Sequence, residues 1–375
     1  MSTRPTEPPP LRSVHTSNFP GLLADGGFSI LVSTYQAGKL VVLRADEGVL
    51  NTHFRSFDRP MGLAEREGRL AVGTSRAIWE FHDVPAVARK VEPAGKHDAG
   101  FLPRTCHFTG DVRVHEMAWA TPPLVEGLQP DASSELIFVN TLFSCLCVRS
   151  DRYSFRPVWR PPFITALAPG DRCHLNGMGM RDGRPHYVTA LGATDAEAGW
   201  RENKKDGGVL LEVPSGRPIL AGLSMPHSPR WHLGRPWLLE SGTGTLGYVD
   251  EAAGSYVPVV ELPGFTRGLD FFGNLAFVGL SQVRETSTFG GLPITERSGG
   301  LHSGVWVVDL EAGRVVAFVR FEDAVQEIFA VVVLPGRRFP EVVSEDPTLQ
   351  AGSFVLPDDA LDDVPAELRA PAEPV

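Results

Sequence analysis

Cysteine is scarce in this chain: four among 375 residues, Cys106, Cys145, Cys147 and Cys173, with no C-x-x-C pair. That excludes a disulfide-stapled scaffold and predicts a reduced, cytoplasmic protein. Cys145 and Cys147 stand two apart in an apparent strand, so they share a face and cannot readily bond to each other. Long apolar runs are missing too. No segment is long enough to span a bilayer, and the N-terminal MSTRPTEPPPLRS lacks the apolar stretch of a secretory signal. Positive charge is in deficit, with 35 Lys and Arg against 45 Asp and Glu and a net charge of −10. Neither a nucleic acid nor a membrane is therefore an expected partner. Helical periodicity is nearly absent, which removes the crossover helices that a doubly wound α/β fold requires. The signatures of P-loops, dinucleotide folds, kinases and G-x-S-x-G hydrolases are missing, so no nucleotide cofactor is expected.

What the chain has is glycine, proline and repetition. Thirty-nine Gly and 32 Pro suit many short strands joined by turns. Six times a short apolar segment follows one variable anchor: Met61, His115, Asn176, His227, Arg267 and Glu327. Successive anchors lie 54, 61, 51, 40 and 60 residues apart, close to the length of a four-stranded propeller blade. After the last anchor one strand remains, Ile328 to Leu334. Before the first there are three: Phe28 to Val32, Lys39 to Leu43 and Val49 to Phe57. The expected fold is all-β: a six-bladed β-propeller whose ring is closed by one C-terminal and three N-terminal strands. Residues 1–18 are expected to be a disordered proline-rich N-terminus, 19–340 a single propeller domain, and 341–375 a largely disordered acidic tail.

In such a ring the six anchors face one tunnel. His115, His227 and Glu327 fall on alternate blades, about 120° apart. Two imidazoles and a carboxylate make a metal site with open positions, suited to a divalent Fe, Zn or Mn ion. Asn176 and His174 are cast as the groups that orient substrate or move protons, and Arg267 as the clamp for its anionic group. Pairing of Arg267 with Glu327 is the plainer alternative. Met61 lines the tunnel. Glu116 follows His115 and would point the other way, unless a bulge brings it in.

The loops between second and third strands belong to the same rim. Most are short and polar, as at Asn140-Thr141, which places Asn140 among the candidate binding residues. Two are long, at residues 193–206 and 282–302, and are read as a lid. They offer Trp200, Arg201, Arg284, Glu285 and Arg297 to a small polar or anionic substrate. Together these residues predict a metal-dependent enzyme of undetermined reaction. A non-catalytic propeller holding a small ligand, or a protein partner through the long loops, is the rival.

The stretches Cys173-His-Leu-Asn-Gly-Met, Met225-Pro-His-Ser-Pro-Arg-Trp-His232, Pro263-Gly-Phe-Thr-Arg-Gly-Leu-Asp270 and Phe289-Gly-Gly-Leu-Pro-Ile-Thr-Glu-Arg297 resemble a bacterial family of conserved hypothetical proteins with a domain of unknown function. The resemblance covers about residues 18–340 and implies no activity. More distantly the repeat resembles six-bladed gluconolactonase and senescence-marker-type propellers. That resemblance implies a divalent cation held by Glu, Asn and Asp, with Asn176 and Glu327 as the matching residues. His115 and His227 depart from that all-oxygen set, which points away from calcium and lactone hydrolysis.

Overall fold

Strands in this chain are apolar on both faces, and the architecture shows why. In Phe28–Thr34, Ile30 and Val32 pack to one side and Leu31 to the other, as the two-residue period of a strand requires. A sheet sandwiched between two others must bury both faces, so its strands read as continuous runs of Val, Leu and Ile. The computed structural model describes residues 11–121, 135–282, 290–297 and 300–369. It is a six-bladed β-propeller, each blade an antiparallel meander of four strands.

The first blade joins Ala330–Pro335 to Phe28–Thr34, Lys39–Asp46 and Val49–Ser56, the expected closure of one C-terminal strand with three N-terminal ones. Going round the ring, the innermost strands of the other five blades are Leu63–Arg66, Val114–Trp119, Leu175–Arg181, Pro226–His232 and Phe265–Phe272. A separate apolar cluster fills each of the six junctions, so no blade depends on a common centre for its core. The axis is thereby left open for polar side chains.

Added strands flank the ring on both sides in sequence. Ser13–His15 adds a fifth strand outside the sixth blade, pairing with Arg314–Phe321. The helix Phe19–Gly26 follows, with Phe19 and Leu23 sunk into the junction of the sixth and first blades. After the ring closes, Pro340–Val342 runs parallel to Ala99–Phe108 at the outer edge of the second blade. A charged residue secures this last strand. Glu341 is 3% exposed and meets Arg55 at 2.8 Å and His53 at 3.0 Å. These added strands cover two outer edges that would otherwise present unpaired backbone groups. Beyond them the described residues of the tail form short helical turns at Pro347–Ala351, Asp358–Leu361 and Ala366–Leu368 with no buried residues. Among the described residues no helix is long and apolar enough to cross a membrane.

Candidate functional site

The anchors sit where their strands are irregular. Opposite Asn140 and Phe138 the third blade places Val114 and Met117, one residue too many, so the inner strand bulges at His115-Glu116. The same extra residue appears after His227 in the fifth blade and at Arg267-Gly268 in the sixth. At Asn176 the fourth blade shows the same surplus. A bulge re-aims side chains that a regular strand would send alternately to opposite faces. Gly268 shows the local requirement: its φ is +83°, and a Cβ there would stand 2.9 Å from the Val331 backbone nitrogen.

One consequence is that consecutive residues serve different parts of the tunnel. His115 lines a cavity of about 460 Å³ at one mouth. Glu116 instead pairs across the ring with Arg230 of the fifth blade at 2.9 Å, and Arg230 also donates to the Met178 carbonyl at 3.2 Å. This cross-tunnel bridge is the role that the bulge creates for Glu116.

The cavity gathers Met61, His115, His174, His227, Arg267 and Glu327, expected at the tunnel, and Trp200 and Arg201, expected from the covering loop, together with Tyr35, Arg59, Asp111, Arg113, Asp171 and Phe329. His115 and His227 are held in the same way. The Thr141 hydroxyl donates to the Leu175 carbonyl of the next blade at 2.6 Å, and the Ser241 hydroxyl to the Thr266 carbonyl at 2.5 Å. Each hydroxyl has then spent its only proton, so it can only accept from the imidazole beside it: His115 Nδ1 at 2.9 Å and His227 Nδ1 at 2.9 Å. Each Nδ1 also faces a backbone carbonyl two residues back, Arg113 at 3.1 Å and Met225 at 2.9 Å. The proton must therefore lie on Nδ1, and Nε2 is left as a bare acceptor. Burial pushes both imidazoles well below their ordinary pKa, with the Arg267 charge next in weight, so both rings are neutral.

The hydroxyls belong to a repeated device. Ser33 donates to Met61 O at 2.5 Å and Ser281 to Ile328 O at 3.1 Å, again from the second strand of one blade to the first of the next. In the fourth blade the link runs through Asn176, which accepts from Thr189 at 2.6 Å and donates to Pro226 O at 3.0 Å. Asn176 does not line the cavity; its amide spans the junction between two blades. Ser241→Ala is expected to lower stability by about 1–2 kcal/mol, because the buried Thr266 carbonyl loses its donor. Ser241→Thr should retain most of it, since Thr141 does the same work. Urea unfolding of the two variants measures the difference.

His174 is held differently. Its Nδ1 lies 2.8 and 3.0 Å from the Asp171 carboxylate oxygens, and Asp171 also binds Arg113 at 2.8 Å. The ring stands edge to face with His115 at 4.9 Å between centroids and leans on Trp200 at 4.6 Å. An imidazole anchored through Nδ1 to a carboxylate presents Nε2 as a proton acceptor. Asp171 escaped the sequence reading although it lies three residues before His174; both adopt positive φ (+49°), and a tight turn of that kind is not visible as periodicity.

Arg267 is half-buried with its guanidinium 3.6 Å from the centre of the Phe329 ring. Among the described residues no ion pair within 4 Å joins it to a carboxylate, so the alternative pairing with Glu327 is not formed. Burial lowers the Arg267 pKa to about 10, and the Glu327 charge only partly offsets that cost. The other cavity cations are committed: Arg59 reaches Asp111 at 3.3 Å, Arg113 holds Asp171, and Arg201 stacks on Trp200 at 4.6 Å. Among the described residues no group of three or more His, Cys, Asp or Glu is placed to hold a metal ion. His115, His227 and Glu327 therefore share a cavity without forming the expected ligand cluster.

The two long loops meet over this mouth. Trp200, Leu292 and Ile294 are buried in one apolar cluster with Leu191, Met225 and Phe265. Trp200 and Arg201 face the cavity, as expected of a covering loop. Arg297 does not: it donates to the Leu262 carbonyl at 3.1 Å and to the Thr243 carbonyl, bolting its loop to the fifth blade. Asn140 is likewise corrected. It is fully buried, with Oδ1 accepting from the Phe143 N–H at 3.0 Å, because it shapes the turn after its own strand. Arg284 and Glu285 lie outside the described residues.

A family model described as a domain of unknown function (DUF4915) matches residues 17–343. The chain belongs to that family. The expected resemblance to such a family is borne out, and the DUF4915 domain spans the whole ring. No curated protein matches the chain. Among solved structures it is similar to a chain in a crystal structure of a nidogen/laminin complex, with a TM-score of 0.51 and 11% identity over 83% of this chain and 99% of that one. It is also similar to a protein of unknown function from Bacteroides caccae, with a TM-score of 0.47 and 10% identity over 82% and 99%. At these identities the nidogen/laminin likeness bears on the fold alone.

Proposed function

We propose that the cavity of this DUF4915 propeller binds a small anionic molecule and that Arg267 holds it. One observation carries this: a half-buried guanidinium, short of a carboxylate partner among the described residues, at the wall of a cavity of about 460 Å³. A cation left this way costs stability, and a bound carboxylate or phosphate would recover it through charge-assisted hydrogen bonds. Beside it, His174 on Asp171 offers a proton acceptor to whatever Arg267 holds, which favours an enzyme over a purely binding propeller. A metal ion is not part of the proposal, since the candidate ligands do not converge and Arg267 would oppose a cation.

Titration calorimetry with inorganic phosphate, glycerate and quinate tests it. At least one anion should bind saturably, and Arg267→Met should weaken that binding at least about thirty-fold, the equivalent of ~2 kcal/mol. The apo variant should be no less stable than the native protein, because Met replaces a desolvated charge with a side chain of similar length. Equal affinity in the variant, or no anion bound by the native protein, overturns the proposal.

A further inference from the structure

We infer that the ligand of this cavity is a polyhydroxylated carboxylate: beside the anionic group on Arg267 it carries neutral hydroxyl donors, received by Nε2 of His115 and His227. The inference deepens the anion-site reading and rests on it. The reasoning begins from the hydroxyls of Thr141 and Ser241. Each gives its proton to a carbonyl of the next blade, so each imidazole must place its own proton on Nδ1. Both Nε2 atoms are then acceptors, and neither receives a hydrogen bond from the described residues. Low pKa values keep them from becoming donors.

A fully apolar ligand would leave two buried acceptors unmade, at a cost in affinity; a second carboxylate would face two lone pairs and be repelled. Hydroxyl groups meet both needs. The remaining walls fit such a molecule: Phe329 lies under Arg267 and against His115, offering a flat apolar face to the carbon skeleton. The pairing of one fixed cation with two fixed neutral acceptors is what separates a hydroxy acid from a plain one. It requires no metal and no movement of the scaffold.

Two matched pairs of anions isolate the hydroxyls: quinate against cyclohexanecarboxylate, and glycerate against propionate. Calorimetry on the native protein should show a hydroxylated member binding roughly ten- to hundred-fold tighter than its plain partner, the return from two neutral hydrogen bonds. Nitrogen NMR of the free protein should show both rings as neutral Nδ1–H tautomers, and the two Nε2 signals should move when the hydroxylated acid is added. His115→Phe and His227→Phe should each shrink the ratio of hydroxylated-acid to plain-acid affinity several-fold. Because the NMR reading uses the native protein, the test survives if a variant fails to fold. Binding of every acid within a factor of two of its partner overturns this inference and leaves the anion site standing. Binding of none of the four, nor of phosphate, overturns both. A proton found on Nε2 of either ring also overturns it.

Discussion

Glu341→Ala should destabilise the protein by about 3–5 kcal/mol, a large effect for one residue outside the ring. Glu341 stands on the short strand that follows ring closure, and its carboxylate collects Arg55 at 2.8 Å, His53 at 3.0 Å, Arg44 at 3.8 Å and His97 at 3.9 Å. Arg44 is itself buried, stacked 3.9 Å above Phe339 and donating to the Pro340 carbonyl at 2.6 Å. Burial lowers the Arg44 pKa, and Glu341 is the chief charge that opposes the shift. Removing Glu341 therefore leaves a desolvated guanidinium without its main counter-charge, and costs far more than an exposed ion pair would. Urea unfolding should show a midpoint lower by on the order of 1 M. Glu341→Gln should lose less, since it retains a hydrogen-bond acceptor for Arg55. An unchanged midpoint for the alanine variant would mean that the last strand merely rests on the propeller.

Acidification should weaken the fold before any carboxylate titrates. Burial lowers the pKa of His97, His115 and His227, with Arg44 or Arg267 adding to it, so in the folded state these rings stay neutral where an unfolded chain would take up protons. Below about pH 6.5 the unfolded state then binds more protons than the folded one, and stability falls as pH falls. From pH 6.5 to 5.5 His115 and His227 each withhold about 1 kcal/mol, and His97 adds a smaller amount of the same sign. His302, half-buried near Arg320, acts in the same direction. Asp270 acts oppositely, its pKa raised by burial, and so does not share in this loss. At lower pH Glu341 joins in. Burial would raise its pKa, but the His53 hydrogen bond and the charges of Arg55 and Arg44 hold it down, so its contribution is present above about pH 4.5 and is lost below. Unfolding curves at pH 7.5, 6.5 and 5.5 measure the slope. The double variant His115→Gln/His227→Gln should lose most of it, and an unaltered slope would show that those two rings take up protons in the folded state.

The repeat anchors, the closure of the ring and the polar tunnel mouth were legible in the order of residues. They follow from local facts: β-prone runs of regular length, turns between them, and one chemically distinctive residue at each blade start. His115, His174, His227, Arg267 and Glu327 do share one cavity. Their roles were not legible. Whether His115 and Glu116 point together or apart depends on a one-residue bulge, and whether Arg267 meets Glu327 depends on the ångströms between two blades. Asn176 and Arg297 show the same limit. Each is polar and near the mouth in sequence terms, and each spends its hydrogen bonds on backbone carbonyls of a neighbouring element.

The sequence by itself determined the blade count, the strand order and the set of side chains brought to the axis, because strand period and repeat length are properties of consecutive residues. Only the tertiary structure decided that the histidines are neutral acceptors and that Arg267 has no carboxylate within 4 Å among the described residues. Protonation and pairing are set by neighbours far away in the chain: Leu175 O spends the Thr141 proton, and Thr266 O spends that of Ser241. Those contacts arise only when the ring closes and each blade's hydroxyl meets the carbonyl of the next.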